Sequence, residues 1–261
     1  MIRILMAMAC VVGATFALAF YPGSIQQGSF WGGAAGPWDI ADLGDIEIDL
    51  IADPEYVWLG SGTAITQWLS RTTSPQLTLT PHEGTPRLVE TNGYYGVLFG
   101  NFASQNTSFA VSPTIEPGHI GDRTEILILR RRDGVTLTFG SSASFRPIGL
   151  AWGSTSIQAA PSNTLYAQSA AIDYTNTILI AVSSGSTVTH FYEGANVYAS
   201  PSTSGSAGTP GIIDRFGRVS SLRSTAGVIH RHVVIGRALT AGEINMVRQY
   251  AIDRWGVNKA E

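Results

Sequence analysis

Hydrophobic and polar residues alternate in short runs along most of the chain. In "DIEIDLIA" (45–52), Ile46, Ile48 and Leu50 share one side and Glu47 and Asp49 the other, the period of a strand with one face buried and one in water. Further strand runs follow in "AITQWL", "YYGVLFG", "EILILR", "VTLTFG", "TILIAVSS", "TVTHFYEGANVYAS" and "GVIHRHVVIGR", with clusters of Gly, Pro, Ser and Asn between them. Asp133-Gly134 reads as a two-residue turn that pairs "EILILR" with "VTLTFG" as a hairpin, and a second turn falls at Glu193 to Asn196. The segment 200–211, "SPSTSGSAGTPG", reads as a surface loop. Many short strands with turn punctuation predict an all-β, two-sheet antiparallel sandwich.

The period changes once, in "GRALTAGEINMVRQYAIDRWG" (236–256). Thr240 and Glu243 form a capping box, in which each side chain meets an orphaned backbone N–H of the first helical turn. Ile244, Val247, Ala251 and Trp255 then recur at helical spacing, while Asn245, Arg248, Gln249 and Asp253 face elsewhere. Gly256 is placed to end the helix in the left-handed conformation. A helix of this length is marginal alone in water, so its apolar stripe predicts a sheet for it to cover.

Composition narrows the partners. The 261 residues include 44% hydrophobic and 13% charged positions, with a net charge of -3 and one lysine, Lys259. Such a chain offers no basic face for phosphate, so nucleic acid is not an expected partner. Arg130 to Arg132 are followed directly by Asp133 and Gly134, which reads as a solvated strand end. Cys10 stands alone, so no intrachain disulfide forms.

The first twenty residues form an apolar leader or anchor segment. Arg3 precedes an uncharged run from Ile4 to Phe20, and Ala17-Leu18-Ala19 has the small-x-small form of a signal-peptidase site. Residues 21–44 read as a Gly-rich arm on which Phe30 and Trp31 are unusual for a free linker. Phe20, Tyr21, Phe30 and Trp31 are therefore the candidate assembly contacts, and residues 45–261 the folded domain with its closing helix at 240–255.

The closing segment resembles the end of laminin-G-like, concanavalin A-like jelly-roll domains of secreted bacterial proteins and bacteriophage structural proteins, through Arg237, Leu239, Thr240, Glu243, Tyr250, Trp255 and Gly256. "IDLIADPEYVWLGSGTAITQWLSRTTS", with Thr66-Gln67-Trp68 as its clearest part, is similar to the opening strands of that family. "TPRLVETNGYYGVLFG" and "STVTHFYEGANVYAS" resemble later ones, so the likeness runs over about 45–257. The chain departs from the pattern at Ile48-Asp49-Leu50, where Trp-Leu-Asp is usual, and at Leu69-Ser70-Arg71, where Asp and Lys are usual. The resemblance implies a jelly-roll sandwich and leaves activity open.

Several chemistries can be weighed from the residues. "EIDLIAD" (47–53) resembles the Glu-x-Asp-x-x-Glu strand of jelly-roll β-glucanases, in which a nucleophile and an acid share one strand face. Glu47 and Asp49 fit the first two positions, but Ala52 stands at the third, so no acid is placed for the leaving group. No catalytic residue is therefore assigned and the chain is not expected to be an enzyme, with a glycoside hydrolase using Glu47 and Asp49 as the weaker alternative. Asp39, Asp42, Asp45, Glu47, Asp49, Asp53 and Glu55 would suit calcium, but no Asp-x-Asp-x-Asp-Gly loop is present, and they read as a solvated or partner-facing surface. His230 and His232 lack a third ligand and read as exposed histidines on a strand. No cofactor is expected. Glycan binding is harder to set aside, because sugars stack on exposed rings; Tyr94, Trp152, Tyr166 and Tyr192 are the candidates.

The expected protein is a structural and adhesion component of a phage virion, such as a head spike, decoration protein or tail fibre part. Residues 1–37 would contact other virion proteins or copies of itself, and the sandwich would face cell-surface glycans from the virion surface. The alternative is a secreted or envelope-anchored bacterial lectin-like domain, with a membrane involved only if the leader is an anchor.

Overall fold

The computed structural model describes residues 38–257, apart from segments 92, 101–106, 116–121, 132–135, 141–147, 153–156, 161–165, 169–175, 185–186, 194–195, 200–212, 220–222 and 225–226. In chain order the strands are β1 (Ile46–Ile51), β2 (Val57–Leu59), β3 (Ile65–Leu69), β4 (Thr78–Glu83), β5 (Arg87–Thr91), β6 (Tyr94–Phe99), β7 (Ser108–Ile115), β8 (Arg123–Arg131), β9 (Thr136–Gly140) and β10 (Ile148–Trp152). They continue with β11 (Ile157–Ala160), β12 (Tyr166–Gln168), β13 (Asn176–Ser184), β14 (Thr187–Glu193), β15 (Asn196–Ala199), β16 (Ile213–Phe216), β17 (Arg218–Val219), β18 (Arg223–Ser224) and β19 (Gly227–Ile235). A 3-10 helix (Ile40–Leu43) precedes them and α1 (Ala241–Trp255) closes the chain.

Two antiparallel sheets make the sandwich. One runs β15-β14-β13-β8-β19-β6-β5, with β1 also paired to β19, and the other runs β12-β11-β10-β9-β16-β7-β4-β3-β2. β19 explains the branch: Gly227 to Ile229 pair with β6, and Arg231 to Ile235 pair with β1 along the same edge. At one corner the sheets meet, because the Ile65 amide donates to the Pro86 carbonyl and the Leu88 amide to that of Thr63.

Between the sheets lies an aromatic core in which Trp68, Phe99, Phe109 and Phe216 are fully buried and meet mostly edge to face, at ring centroids 5.6–6.0 Å apart. The eight-stranded sheet is buried on its second face as well. Ile126 and Ile128 of β8, Ile178 and Ile180 of β13, and Val233 and Ile235 of β19 pack with Ile244, Val247, Tyr250, Ala251 and Trp255 of α1. Continuous apolar runs such as "ILIL" are thus what a strand covered on both sides needs. The helix cap forms as the sequence predicts: the Thr240 hydroxyl accepts from the Glu243 amide, Glu243 accepts from that of Thr240, and Gly256 is left-handed. Arg237 strengthens this start with a 2.6 Å ion pair to Glu243, and mainly for that reason Glu243 is drawn down to about 2.

Two sequence expectations fail on this architecture. The expected hairpin of β8 and β9 is not formed, since β8 pairs with β13 and β19 while β9 pairs with β10 and β16 of the other sheet, and Asp133-Gly134 itself lies outside the described residues. The apolar residues on both sides of β8 draw it to the centre of the helix-covered sheet, where both of its faces are buried. Asp49 is not on a solvated face either: it is 1% exposed, because the side of β1 that alternation assigns to water is the side beneath α1. The turn at Glu193 to Asn196 does close the β14–β15 hairpin.

Candidate functional site

The densest polar cluster among the described residues lies between the eight-stranded sheet and α1. Arg231, on β19, is fully buried and uses all five of its N–H groups. Nε and Nη2 donate to the two Asp49 oxygens at 2.8 and 2.7 Å. Nη2 also donates to Asp39 Oδ1 at 2.7 Å, and Nη1 to Asp39 Oδ2 at 3.3 Å and to the Tyr250 hydroxyl at 3.0 Å. Tyr250 in turn donates to Asp39 Oδ2 at 2.9 Å and accepts from Arg254. Arg71, just after β3, adds a second guanidinium 3.2–3.3 Å from both carboxylates.

Each member reaches the cluster for a local reason. Asp39 caps the 3-10 helix through the Ala41 amide on Oδ1, which holds the carboxylate so that both of its oxygens also reach Arg231. Arg231 and His230 both lie on the helix side of β19, where His230 is 6.3 Å from the Trp255 ring, because the β19–β8 register shifts between Ile229 and Arg231. His232 then points to the inter-sheet core, near Phe216 and 2.6 Å from Glu125. The reading of His230 and His232 as exposed is therefore corrected: they are 5% and 0% exposed. The reading of the acidic stretch as a solvated or partner-facing surface is corrected in the same way at Asp39 and Asp49, which serve as counter-charges to buried arginine.

The electrostatics follow from this closure. Burial opposes the charged form of Asp39, but the hydrogen bonds and positive charge of Arg231, aided by the Ala41 amide and Arg71, outweigh it and hold the carboxyl well below the usual range. Burial also opposes charge on Arg231, yet Asp49 and Asp39 raise it further above its ordinary value. Tyr250 is pushed up to about 12, chiefly by burial. His230 is lowered by burial, although its Nδ1–H donates to the Tyr95 carbonyl. Stability should therefore respond to pH in two stages. His230, neutral in the folded protein and protonated more readily when unfolded, makes stability fall as pH drops through about 6.5; Asp39 and Glu243 add a steeper loss below about pH 4. Urea midpoints measured across pH should show both stages, and His230→Gln should reduce the first, to which His82, also lowered by burial, adds a part.

Asp49 is saturated by Arg231, while Glu47 is half exposed, 3.7 Å from Arg123. The two acids do not face a common opening, so the Glu47–Asp49 pair has no place to hold a sugar bond. Among the described residues no group of three or more His, Cys, Asp or Glu side chains is placed to hold a metal ion. Nor is any described helix long and apolar enough to cross a membrane.

Among the described residues, the large exposed apolar side chains lie at the β2 edge of the nine-stranded sheet. Val57 and Trp68 pair on the inner side of β2 and β3, so Trp58 and its cross-strand partner Gln67 point outward. Thr80, Ala110 and Arg215 continue the face across β4, β7 and β16. Trp58 is 57% and Leu59 44% exposed, the large hydrophobics left in water among the described residues. The sequence gives no sign of this, since "YVWLG" reads like any buried strand.

The glycan candidates are not gathered at one place. Tyr94 begins β6 and is half buried against the helix-side core. Tyr192 lies on β14 of the same sheet, with β13, β8 and β19 between them, while Trp152 and Tyr166 lie on β10 and β12 of the other sheet. The side chains of Trp152, Tyr166 and Tyr192, and the whole of Phe20, Tyr21, Phe30 and Trp31, lie outside the described residues.

The class defined by this architecture is the all-β antiparallel sandwich, and proteins with carbohydrate-related domains of that kind are among its structural neighbours. No family model matches the chain and no curated protein does. Similar solved structures include Trypanosoma rangeli sialidase in complex with 2,3-difluorosialic acid, at 10% identity and a TM-score of 0.46 over 80% of this chain and 33% of that one. An arabinofuranosidase complexed with arabinofuranosyl-alpha-1,2-xylobiose is 13% identical, with a TM-score of 0.46 over 73% of this chain and 51% of that one. The botulinum neurotoxin serotype D binding domain is 10% identical, with a TM-score of 0.49 over 78% and 51%. This chain thus spans about a third to a half of the length of these proteins, and likenesses of this size bring no activity to it. They do correct the expectation that the chain is not an enzyme: hydrolases are among the structures it is similar to, so the fold gives no ground for excluding catalysis.

Proposed function

We propose that this chain is a carbohydrate-recognising sandwich displayed on a phage virion, as a head spike, decoration protein or tail fibre part, and fixed by residues 1–37. The observation that carries it is the asymmetry of the two sheets. One is covered by α1 and locked by Arg231, whereas the other, over its described strands β2, β3 and β4, shows exposed Thr66 and Thr80 and an exposed indole at its edge. A ring presented among amide and hydroxyl groups suits a sugar, which has an apolar face and a polar edge. The attachment to a virion is supported by the likeness of "GRALTAGEINMVRQYAIDRWG" to the closing segment of phage structural proteins, and by the aromatic arm that precedes the sandwich.

A secreted or envelope-anchored lectin-like protein is the second reading, favoured by Ala17-Leu18-Ala19. Intact mass separates the two. Purified virus particles are expected to contain the chain at about its full 27.7 kDa. A chain found outside particles and lacking its first nineteen residues would overturn the virion assignment and support secretion.

A further inference from the structure

We propose that the β2–β3 hairpin is the binding platform for a neutral sugar, with the apolar face of a pyranose ring lying on the Trp58 indole and its hydroxyl groups meeting Gln67. This rests on the carbohydrate reading above and gives it a place and a ligand class.

The backbone that carries Trp58 is held firmly. The Trp58 carbonyl accepts from the Thr66 hydroxyl at 3.1 Å. The hairpin around it is pinned by the Gly60 amide on the Ala64 carbonyl at 2.8 Å and the Leu69 amide on the Tyr56 carbonyl at 2.8 Å. Its tip is fastened to the other sheet through Thr63, Ile65, Pro86 and Leu88. A backbone held in this way needs no ordering when a ligand arrives, which lowers the entropic cost of binding.

The surroundings decide what that ligand is. Gln67 stands directly across from Trp58, and a cross-strand pair on one face is about 4.5–5.5 Å apart at Cβ, close enough for one ring to touch both. Thr66 of β3 and Thr80 of β4 are also exposed, so the indole, with Leu59 beside it on β2, borders hydroxyl and amide groups, and these two side chains are the exposed large hydrophobics among the described residues. Charge argues for neutrality. Arg215 is four strand spacings from Trp58 across the face, about 19 Å. Arg87, opposite Ala64 at the hairpin tip, is about 10 Å along the strand direction. Both exceed the screening length of about 8 Å at physiological salt. The charges nearest in the chain are the acids Asp53 and Glu55, which repel an anionic sugar.

Calorimetric titration of the full chain with neutral manno-, galacto- and gluco-oligosaccharides, and with sialyllactose as the acidic probe, tests this at low and high salt. A neutral oligosaccharide is expected to bind independently of salt. Trp58→Ala should weaken it about tenfold and Trp58→Phe much less, since a ring is retained. Both variants should keep the wild-type unfolding midpoint, because the side chain is exposed. Equal affinity in wild type and Trp58→Ala would overturn the platform, as would binding of sialyllactose alone with loss at high salt; in both cases carbohydrate recognition stands. Absence of binding to every sugar would overturn the platform and the carbohydrate reading together.

Discussion

Replacing Arg231 with methionine is expected to destabilise the protein by about 3–5 kcal/mol, read as a lower urea midpoint with an unchanged slope. The arginine is fully buried and bonded to Asp39, Asp49 and Tyr250. Methionine fills a similar stem volume but leaves Asp49 with Arg71 and Asp39 with Arg71 and, at 3.9 Å, Arg254 as the remaining cations, and Asp49 is itself almost wholly enclosed. Arg231→Lys should recover only part of the loss, because a single ammonium cannot match the bidentate bonds to Asp49 and reach Asp39 and Tyr250 at once. If both variants unfold at the wild-type midpoint, the cluster is not what joins the 3-10 helix, β1, β19 and α1. The triple replacement of Arg231, Asp39 and Asp49 by apolar residues is expected to be milder than Arg231→Met, since no unpaired charge is left buried.

The same cluster marks the limit of what the sequence discloses. The closing helix is legible because its signals are local: Thr240 and Glu243 lie within one turn, and Gly256 follows directly on Trp255. Strands are legible from alternation, but alternation says which residues share a face and not what covers that face. Asp49 was assigned to water on that ground, whereas α1, some two hundred residues later, covers it. Asp39 lies in a stretch that reads as a flexible arm, and its bonds to Arg231 span a separation of 192 residues. The register shift in β19 carries no local mark, so two consecutive residues, His230 and Arg231, share a side that strict alternation would divide between them. Trp58 is hidden for the opposite reason: a strand of three apolar residues looks like core until its place at the edge of a nine-stranded sheet is known.

Trp68→Ala is expected to cost about 3–5 kcal/mol through the cavity it opens between the sheets. The ring is fully buried and meets Phe109 and Phe216 edge to face, at centroid distances of 5.9 and 5.7 Å. These partners belong to β7 and β16 of the same nine-stranded sheet as Trp68, held in place by their strand ladders, so the site has little freedom to collapse. A second component comes from hydrogen bonding. The indole Nε1–H donates to the Ile51 carbonyl at 2.9 Å, which ties β3 of one sheet to the end of β1 in the other. Trp68→Phe separates the two contributions, since it keeps most of the ring volume and removes the donor. Its cost should be roughly 1–3 kcal/mol from the unsatisfied buried carbonyl, added to that of a smaller void. Urea unfolding of the three proteins decides the matter: a Phe variant as stable as wild type would mean that packing alone joins the sheets here, and one as unstable as Ala would make the bond between Trp68 and Ile51 the dominant link between β3 and β1.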